Sequence, residues 1–118
     1  MIKIALDTNS LVYIFDNKTD IESALDLSLG GPYKLFVPQC CINELIKLKR
    51  QDVVSLIKSL RFNVIESEPG DVDGELIRLA KEKNMHVMTE DRKLIAKARL
   101  AGVVIIRRSG KDHFSIIT

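Results

Sequence analysis

The sequence predicts a three-layer α/β/α sandwich around a central, mainly parallel sheet, in a single domain over residues 1–118. Two observations carry that prediction. Short apolar runs of strand length alternate with segments of helical periodicity, the pattern of right-handed βαβ crossovers with helices on both faces of a sheet. Hydrophobic residues make up 46% of the 118, enough to fill one core. No linker, low-complexity segment or repeat of solenoid period divides the chain.

Residues 2–6 read as a short buried strand that stops at Asp7-Thr8-Asn9-Ser10, a cluster of helix-capping types, and a short helix over roughly 10–16 follows. Thr19-Asp20-Ile21-Glu22 fits a capping box, with Thr19 at the N-cap and Glu22 at N3. Ile21, Leu25 and Leu29 then recur at helical spacing until Gly30-Gly31-Pro32. Lys34–Val37 is a second strand. Pro38 suits the first turn of a helix whose apolar face holds Ile42, Leu45, Ile46 and Leu48. Asp52 opens a further helix through Leu60, and Phe62–Ile65 is a third strand. Glu66–Gly70 is a loop turning at Pro69-Gly70. Leu76, Ile77, Leu79 and Ala80 mark a helix over 72–83. His86–Met88 is a fourth strand, ending at Thr89-Glu90-Asp91, and a helix over 91–101 closes at Gly102. Val103–Ile106 is a fifth strand and Phe114–Ile117 a sixth. One echo stands out: residues 5–11 and 87–94 both run strand, carboxylate-bearing polar turn, helix.

The net charge of +2 favours no partner class, but its distribution is uneven. Residues 1–90 hold 11 basic and 14 acidic side chains, net −3, and residues 91–118 hold 7 and 2, net +5. The C-terminal quarter is therefore a candidate phosphate-facing surface. No run of about 18 apolar residues is present to span a membrane. An acidic residue interrupts the first apolar run, which argues against a signal peptide. Cys40 and Cys41 are adjacent, make no disulfide framework and no zinc spacing, and point to a reducing, cytoplasmic location.

In open parallel sheets, ligands bind outside the carboxyl ends of the strands, so the acids there are candidates for function. Asp7 ends the first strand and reads equally as an N-cap or a functional carboxylate. Asp91 follows the fourth strand in the same way, with Thr89 available to cap the helix and leave Asp91 free. Asp73, near the start of the 72–83 helix, competes with Asp71 for the cap, and Glu75 is a third acid there. Glu44 lies between core-facing Ile42 and Leu45 and reads from its surroundings as a surface glutamate. Were these four to converge, they could not all stay ionised without a cation. Hard oxygen ligands select Mg²⁺ or Mn²⁺, which lowers the pKa of bound water and steadies charge on a phosphate. The chain offers no credible side-chain nucleophile. His86 and His113 have no ligand-spaced partners and read as structural or exposed, and Cys40-Cys41 reads as small apolar packing. Arg92, Lys93, Lys97 and Arg99 on the helix after Asp91, with Arg107, Arg108 and Lys111 after the fifth strand, suit a polyanion held along its backbone. Four Phe, two Tyr and no Trp argue against a base-stacking platform.

Leu6-Asp7-Thr8-Asn9 before a helix, Asn43-Glu44-Leu45, Asp73 before Leu76-Ile77-Arg78-Leu79-Ala80, and Thr89-Glu90-Asp91-Arg92-Lys93-Leu94 together resemble, in order and spacing over essentially the whole chain, the acidic signatures of PIN-domain nucleases. The stretches Val37–Leu48 and Asp20–Gly30 look most similar to archaeal PIN proteins related to small-subunit rRNA-processing nucleases, with VapC-type toxins as the neighbouring branch. The resemblance implies a PIN-like fold and Mg²⁺- or Mn²⁺-dependent hydrolysis of RNA. It implies Asp7 and Asp91 as central metal ligands, Asp73 as a third and Glu44 as a fourth acid. Thr8, Asn9 and Thr89 would then orient the carboxylates, and Arg92, Lys93, Lys97, Arg107 and Arg108 would hold substrate. It also implies a homodimer and, on the toxin branch, an antitoxin partner. Glu90 departs from the neutral residue usual in the family and adds a charge beside Asp91. The alternative is a non-catalytic PIN module that binds RNA or a protein. A phosphoacceptor domain is disfavoured, because Thr8 follows Asp7 where a second acid is needed, and Arg107-Arg108 replaces a lysine.

Overall fold

The computed structural model describes residues 1–60, 62–68, 70–110 and 113–118. Pro69 of the expected turn and the basic Lys111 lie outside the described residues. The chain runs β1 (Ile2–Leu6), α1 (Thr8–Asp16), α2 (Ile21–Leu29), β2 (Tyr33–Pro38), α3 (Gln39–Lys47), α4 (Gln51–Ser59), β3 (Asn63–Ile65), α5 (Val72–Lys83), β4 (His86–Met88), α6 (Arg92–Leu100), β5 (Ile105–Gly110) and β6 (His113–Ile117). The six strands form one sheet in the order β3-β2-β1-β4-β5-β6. All pairings are parallel except β5 with β6. The expected three-layer architecture is therefore observed, with an antiparallel edge.

Strand alternation sorts the core into two halves, because successive side chains leave opposite faces of a sheet. Ile4, Leu6, Leu35, Val37, Met88 and Ile106 point to the layer of α1 to α4. Ala5, Val87 and Ile105, with the half-buried Phe36, point to the layer of α5 and α6, where Leu76, Ala80, Leu94 and Ala98 meet them. Each fully buried leucine or isoleucine contributes about 1.5–3 kcal/mol.

Several local expectations are corrected. Asp20, not Thr19, caps α2: its carboxylate accepts from Ser23 N at 3.2 Å, so Glu22 falls in the first turn rather than at N3. Pro38 is the last residue of β2 and the N-cap of α3, outside the helix. Ile42 and Leu45 are buried on α3, whereas Ile46 is 46% and Leu48 56% exposed, because the helix ends at Lys47 and its last turn overhangs the core. β5 begins at Ile105, since Val103 N bonds back to Ala98 O and completes the exit from α6.

Candidate functional site

The strand order reverses beside β1: the chain moves from β1 outward to β2 and β3, then crosses to β4 on the other side. Such a switch point opens a crevice at the carboxyl ends of the two central strands. Leu6 is in register with Met88, so the turns that follow them, Asp7 and Thr89–Asp91, are neighbours. The echo between residues 5–11 and 87–94 is thus a spatial pairing.

Asp7 caps α1 and still has capacity left. One carboxylate oxygen, Oδ1, accepts from Ser10 N at 2.8 Å, and Oδ2 accepts from the Thr89 hydroxyl. The residue is 6% exposed. An ionised carboxylate has about four acceptor positions, and protein donors fill two of them here. Ser10 is a tie that sequence reading left among the capping types: its hydroxyl also donates to Met88 O at 3.2 Å, stapling α1 to β4. The Asp7–Ser10 spacing of three was the signal for it.

Thr89, fully buried, links the two turns, since its hydroxyl oxygen accepts from Asp91 N at 3.1 Å while its proton goes to Asp7. It is therefore not the cap of α6, as its position suggested. Asp91 is the cap: its Oδ1 accepts from Lys93 N at 2.9 Å and Leu94 N at 3.4 Å, and Oδ2 receives no bond among the described residues. Capping and a free carboxylate oxygen coexist in one side chain.

On α5, Asp71 takes the cap by accepting from Gly74 N, which leaves Asp73 half-buried without a helical donor. Burial raises the Asp73 pKa above the ordinary carboxylate range, and the charges of Asp91, Asp71 and Asp7 raise it further, with Lys97 partly offsetting them. Asp7, Asp73 and Asp91 thus share one electrostatic environment despite their separation in sequence. Glu44 comes from the opposite helix layer. It is half-buried and lines a cleft with Cys40, Asn43, Lys47, Gly70 and Val72, on the flank of the start of α5.

The Thr8 hydroxyl oxygen is the one buried side-chain polar atom without a hydrogen-bond partner among the described residues; the residue is 3% exposed. The Cys41 thiol lies nearby without completing a bond. An orphan hydroxyl next to Asp7, oxygen donors throughout and a carboxyl whose protonation is favoured by its neighbours fit a hard divalent cation. Among the described residues, however, no three His, Cys, Asp or Glu side chains stand close enough to hold one ion as they are placed.

Asn9 is exposed on the first turn of α1. Arg92, Lys93, Lys97 and Arg99 are exposed along α6, as expected of a surface that meets solvent or a polyanion. Arg107 is exposed and Arg108 half-buried, and both lie within β5, paired with Ser115 and Phe114, rather than after it as expected, because the strand continues to Gly110. Glu90 points away from Asp91 to these two arginines. His86 is half-buried, and burial lowers its pKa, in keeping with a structural residue. His113 opens β6 and is exposed. Both cysteines are free and buried; the neighbouring Cys40 thiol and then burial push the Cys41 thiol up. No helix among the described residues is long and apolar enough to cross a membrane.

Comparison with known proteins agrees with this fold. The family described as PIN-like domain matches residues 4–111. The chain is 24% identical over 127 residues to the ribonuclease VapC4 of Methanocaldococcus jannaschii, covering 98% of this chain and 97% of that protein. Its fold is similar to that of the PIN domain endonuclease Utp24, with TM-score 0.83 at 20% identity over 98% of this chain and 92% of the other. It is also similar to a chain of VapBC2 from Rickettsia felis, solved bound to a DNA fragment from their promoter, with TM-score 0.66 at 17% identity over 90% of this chain and 98% of that one.

Proposed function

Because the chain belongs to the PIN-like domain family, we propose that it is an endoribonuclease that hydrolyses RNA phosphodiester bonds with Mg²⁺ or Mn²⁺ held by Asp7, Glu44, Asp73 and Asp91. The observation that carries this reading is that one buried hydroxyl, that of Thr89, joins the Asp7 carboxylate to the Asp91 turn at the carboxyl ends of β1 and β4, with Asp73 close enough to feel both charges. Carboxylates gathered in this way repel one another, and a divalent ion relieves the repulsion. The ribonuclease among its relatives supports RNA as the substrate.

When bound, the ion supplies an activated water and stabilises charge on the phosphate. The chain's own residues do the rest. Thr89 holds Asp7 Oδ2 and the Asp91 amide with one hydroxyl, which fixes the spacing of two acids. Thr8 and Asn9 flank Asp7 and complete its surroundings. Glu44 approaches from the α3 side of α5. Arg92, Lys93, Lys97, Arg107 and Arg108 draw the RNA backbone to the acidic cleft, where bare carboxylates would repel it. On this reading a second copy of the chain is a further partner, and an antitoxin is one if the protein acts on the toxin branch.

A second reading, a module that binds RNA or a protein without turnover, is favoured by one observation: the acids are not close enough, as placed, to hold an ion in threes. Calorimetric titration with Mn²⁺, paired with cleavage of a labelled single-stranded RNA, separates the two. Binding abolished by Asp7→Asn, together with Mn²⁺-dependent cleavage, is the result expected of the nuclease. RNA binding with no heat of Mn²⁺ association at millimolar metal would leave the module.

A further inference from the structure

Glu90 lies between Thr89 and Asp91 in sequence, yet its side chain leaves the turn on the other side. One oxygen accepts from Arg108 N, the amide of a β5 residue, at 2.7 Å. The same carboxylate stands 3.5 Å from Arg107 Nε and 3.8 Å from Arg108 Nε. Arg108 in turn lays its guanidinium carbon 3.3 Å from the centroid of the Tyr13 ring. Tyr13 belongs to α1, the helix that Asp7 caps. Glu90, Arg108, Tyr13 and Ser10 line one small space with Met88 and Phe114. The contacts therefore close a ring: Asp7 to α1, Tyr13 to Arg108, Arg108 to Glu90, and Glu90 back through Thr89 to Asp7.

We infer that Glu90 is a positioning residue of the proposed site, a strut that locks the β4–α6 turn, and with it Thr89 and Asp91, to β5 and through Arg108 and Tyr13 to α1. The inference rests on the nuclease reading for its consequence, and on the contacts alone for the strut. A carboxylate suits the position for two reasons. It accepts a backbone N–H, and it neutralises two adjacent guanidinium groups that would otherwise repel each other. Its own negative charge is spent on those arginines, so it does not compete with Asp91. The seat of the Arg108 guanidinium over the Tyr13 ring gives the link a fixed direction, which an ammonium on a flexible stem would not. Of the two arginines, Arg108 is the anchored one, and Arg107 has the freer side chain to reach phosphate.

The test compares wild type with Glu90→Gln and Glu90→Ala. Gln keeps an acceptor oxygen and loses the charge, whereas Ala loses both. Three quantities are measured: amide hydrogen exchange at Thr89, Asp91 and Arg108 with Val64 as a remote control, Mn²⁺ affinity by calorimetry, and kcat and KM on a short single-stranded RNA. Glu90→Ala is expected to speed exchange at the three amides about tenfold or more without moving Val64. It should also weaken Mn²⁺ by about 10- to 100-fold and lower kcat with little change in KM. Glu90→Gln is expected to keep exchange, Mn²⁺ affinity and kcat within about threefold, and to lower KM because Arg107 is freed for phosphate. Unchanged exchange and Mn²⁺ affinity in Glu90→Ala would overturn the inference. If the wild type neither binds Mn²⁺ nor cleaves, the nuclease reading fails and the exchange data alone decide the strut. Should Glu90→Ala not fold, Arg108→Ala removes the side-chain part of the link, the ion pair with Glu90 and the contact with Tyr13, while the Arg108 amide bond stays; unchanged exchange at Thr89 and Asp91 in that variant would overturn the inference.

Discussion

Asp73 and Glu75 stand two residues apart in the first turn of α5, and the fold treats them in opposite ways. Glu75 is the more buried, at 6% exposure, yet it is satisfied: Arg78 pairs with it, Glu68 N donates to it, and its pKa is lowered, chiefly by Arg78. Asp73 is only half-buried, but it has no ion pair among the described residues, and its pKa is raised by burial and by the charges of Asp91, Asp71 and Asp7. Depth of burial therefore does not tell a satisfied carboxylate from an unsatisfied one; its partners do. Glu75 holds the loop before α5 in place; Asp73 is buried against like charges that Lys97 offsets only in part, which on the proposed function a divalent ion would relieve.

The sharpest way to break this contrast is to neutralise each acid. Asp73→Asn and Asp7→Asn are expected to lower cleavage of single-stranded RNA by at least about 100-fold, beyond what supporting residues of a metal site contribute. Circular dichroism should stay unchanged, since Asn at position 7 keeps the oxygen that caps α1. Full activity in either variant would remove that acid from the site. Glu75→Ala should do the reverse. It strands Glu68 N and Arg78, so a loss of about 1–3 kcal/mol in urea unfolding is expected, with cleavage per folded molecule retained.

Without added metal, Asp73→Asn is expected to melt no lower than wild type at pH 7, because it deletes a charge that burial and its neighbours disfavour. A lower melting temperature would contradict the unmet-charge account. The two acids also leave opposite marks on stability against pH. The raised pKa of Asp73 gives a contribution present below the ordinary aspartate value near 3.8 that is lost as pH rises through the folded value. The lowered pKa of Glu75 gives one present above the ordinary glutamate value near 4.5 that is lost as pH falls through the folded value. Urea midpoints followed across pH should therefore flatten on the rising side in Asp73→Asn and on the acid side in Glu75→Gln. The smallest effect is expected at the periphery: Arg107→Ala should reduce the salt dependence of RNA binding by about 0.7 in the log–log slope, the share of one phosphate contact on a single strand.

The periodic stretches were legible to within a residue or two. α5 and β4 fall at their expected residues, and five of the six strands fall where apolar runs placed them; only β5 is displaced. Caps were less legible. Thr19 and Thr89 are both good capping types, but the adjacent acid Asp20 and the nearby Asp91 hold the cap, because the N-cap belongs to whichever side chain the backbone aims at the first free amides. The site was half legible. Position alone raised Asp7 and Asp91, while Asp73 and Glu44 stood out only through family resemblance. Glu90 read as an added charge beside Asp91, and its pairing with β5 has no local signature, since its partners lie 17 and 18 residues away.

What the sequence by itself determined is the alternation of strand and helix, and hence the layered sheet, because propensity, apolar period and capping chemistry act over a few residues. What tertiary structure decided is which turns meet. β4 crosses to lie against β1, Leu6 registers with Met88, and one threonine hydroxyl joins two acids that stand 84 residues apart. The field at a carboxylate is a sum over neighbours in space, so whether an acid is satisfied or left wanting a cation is settled only when the sheet closes around it.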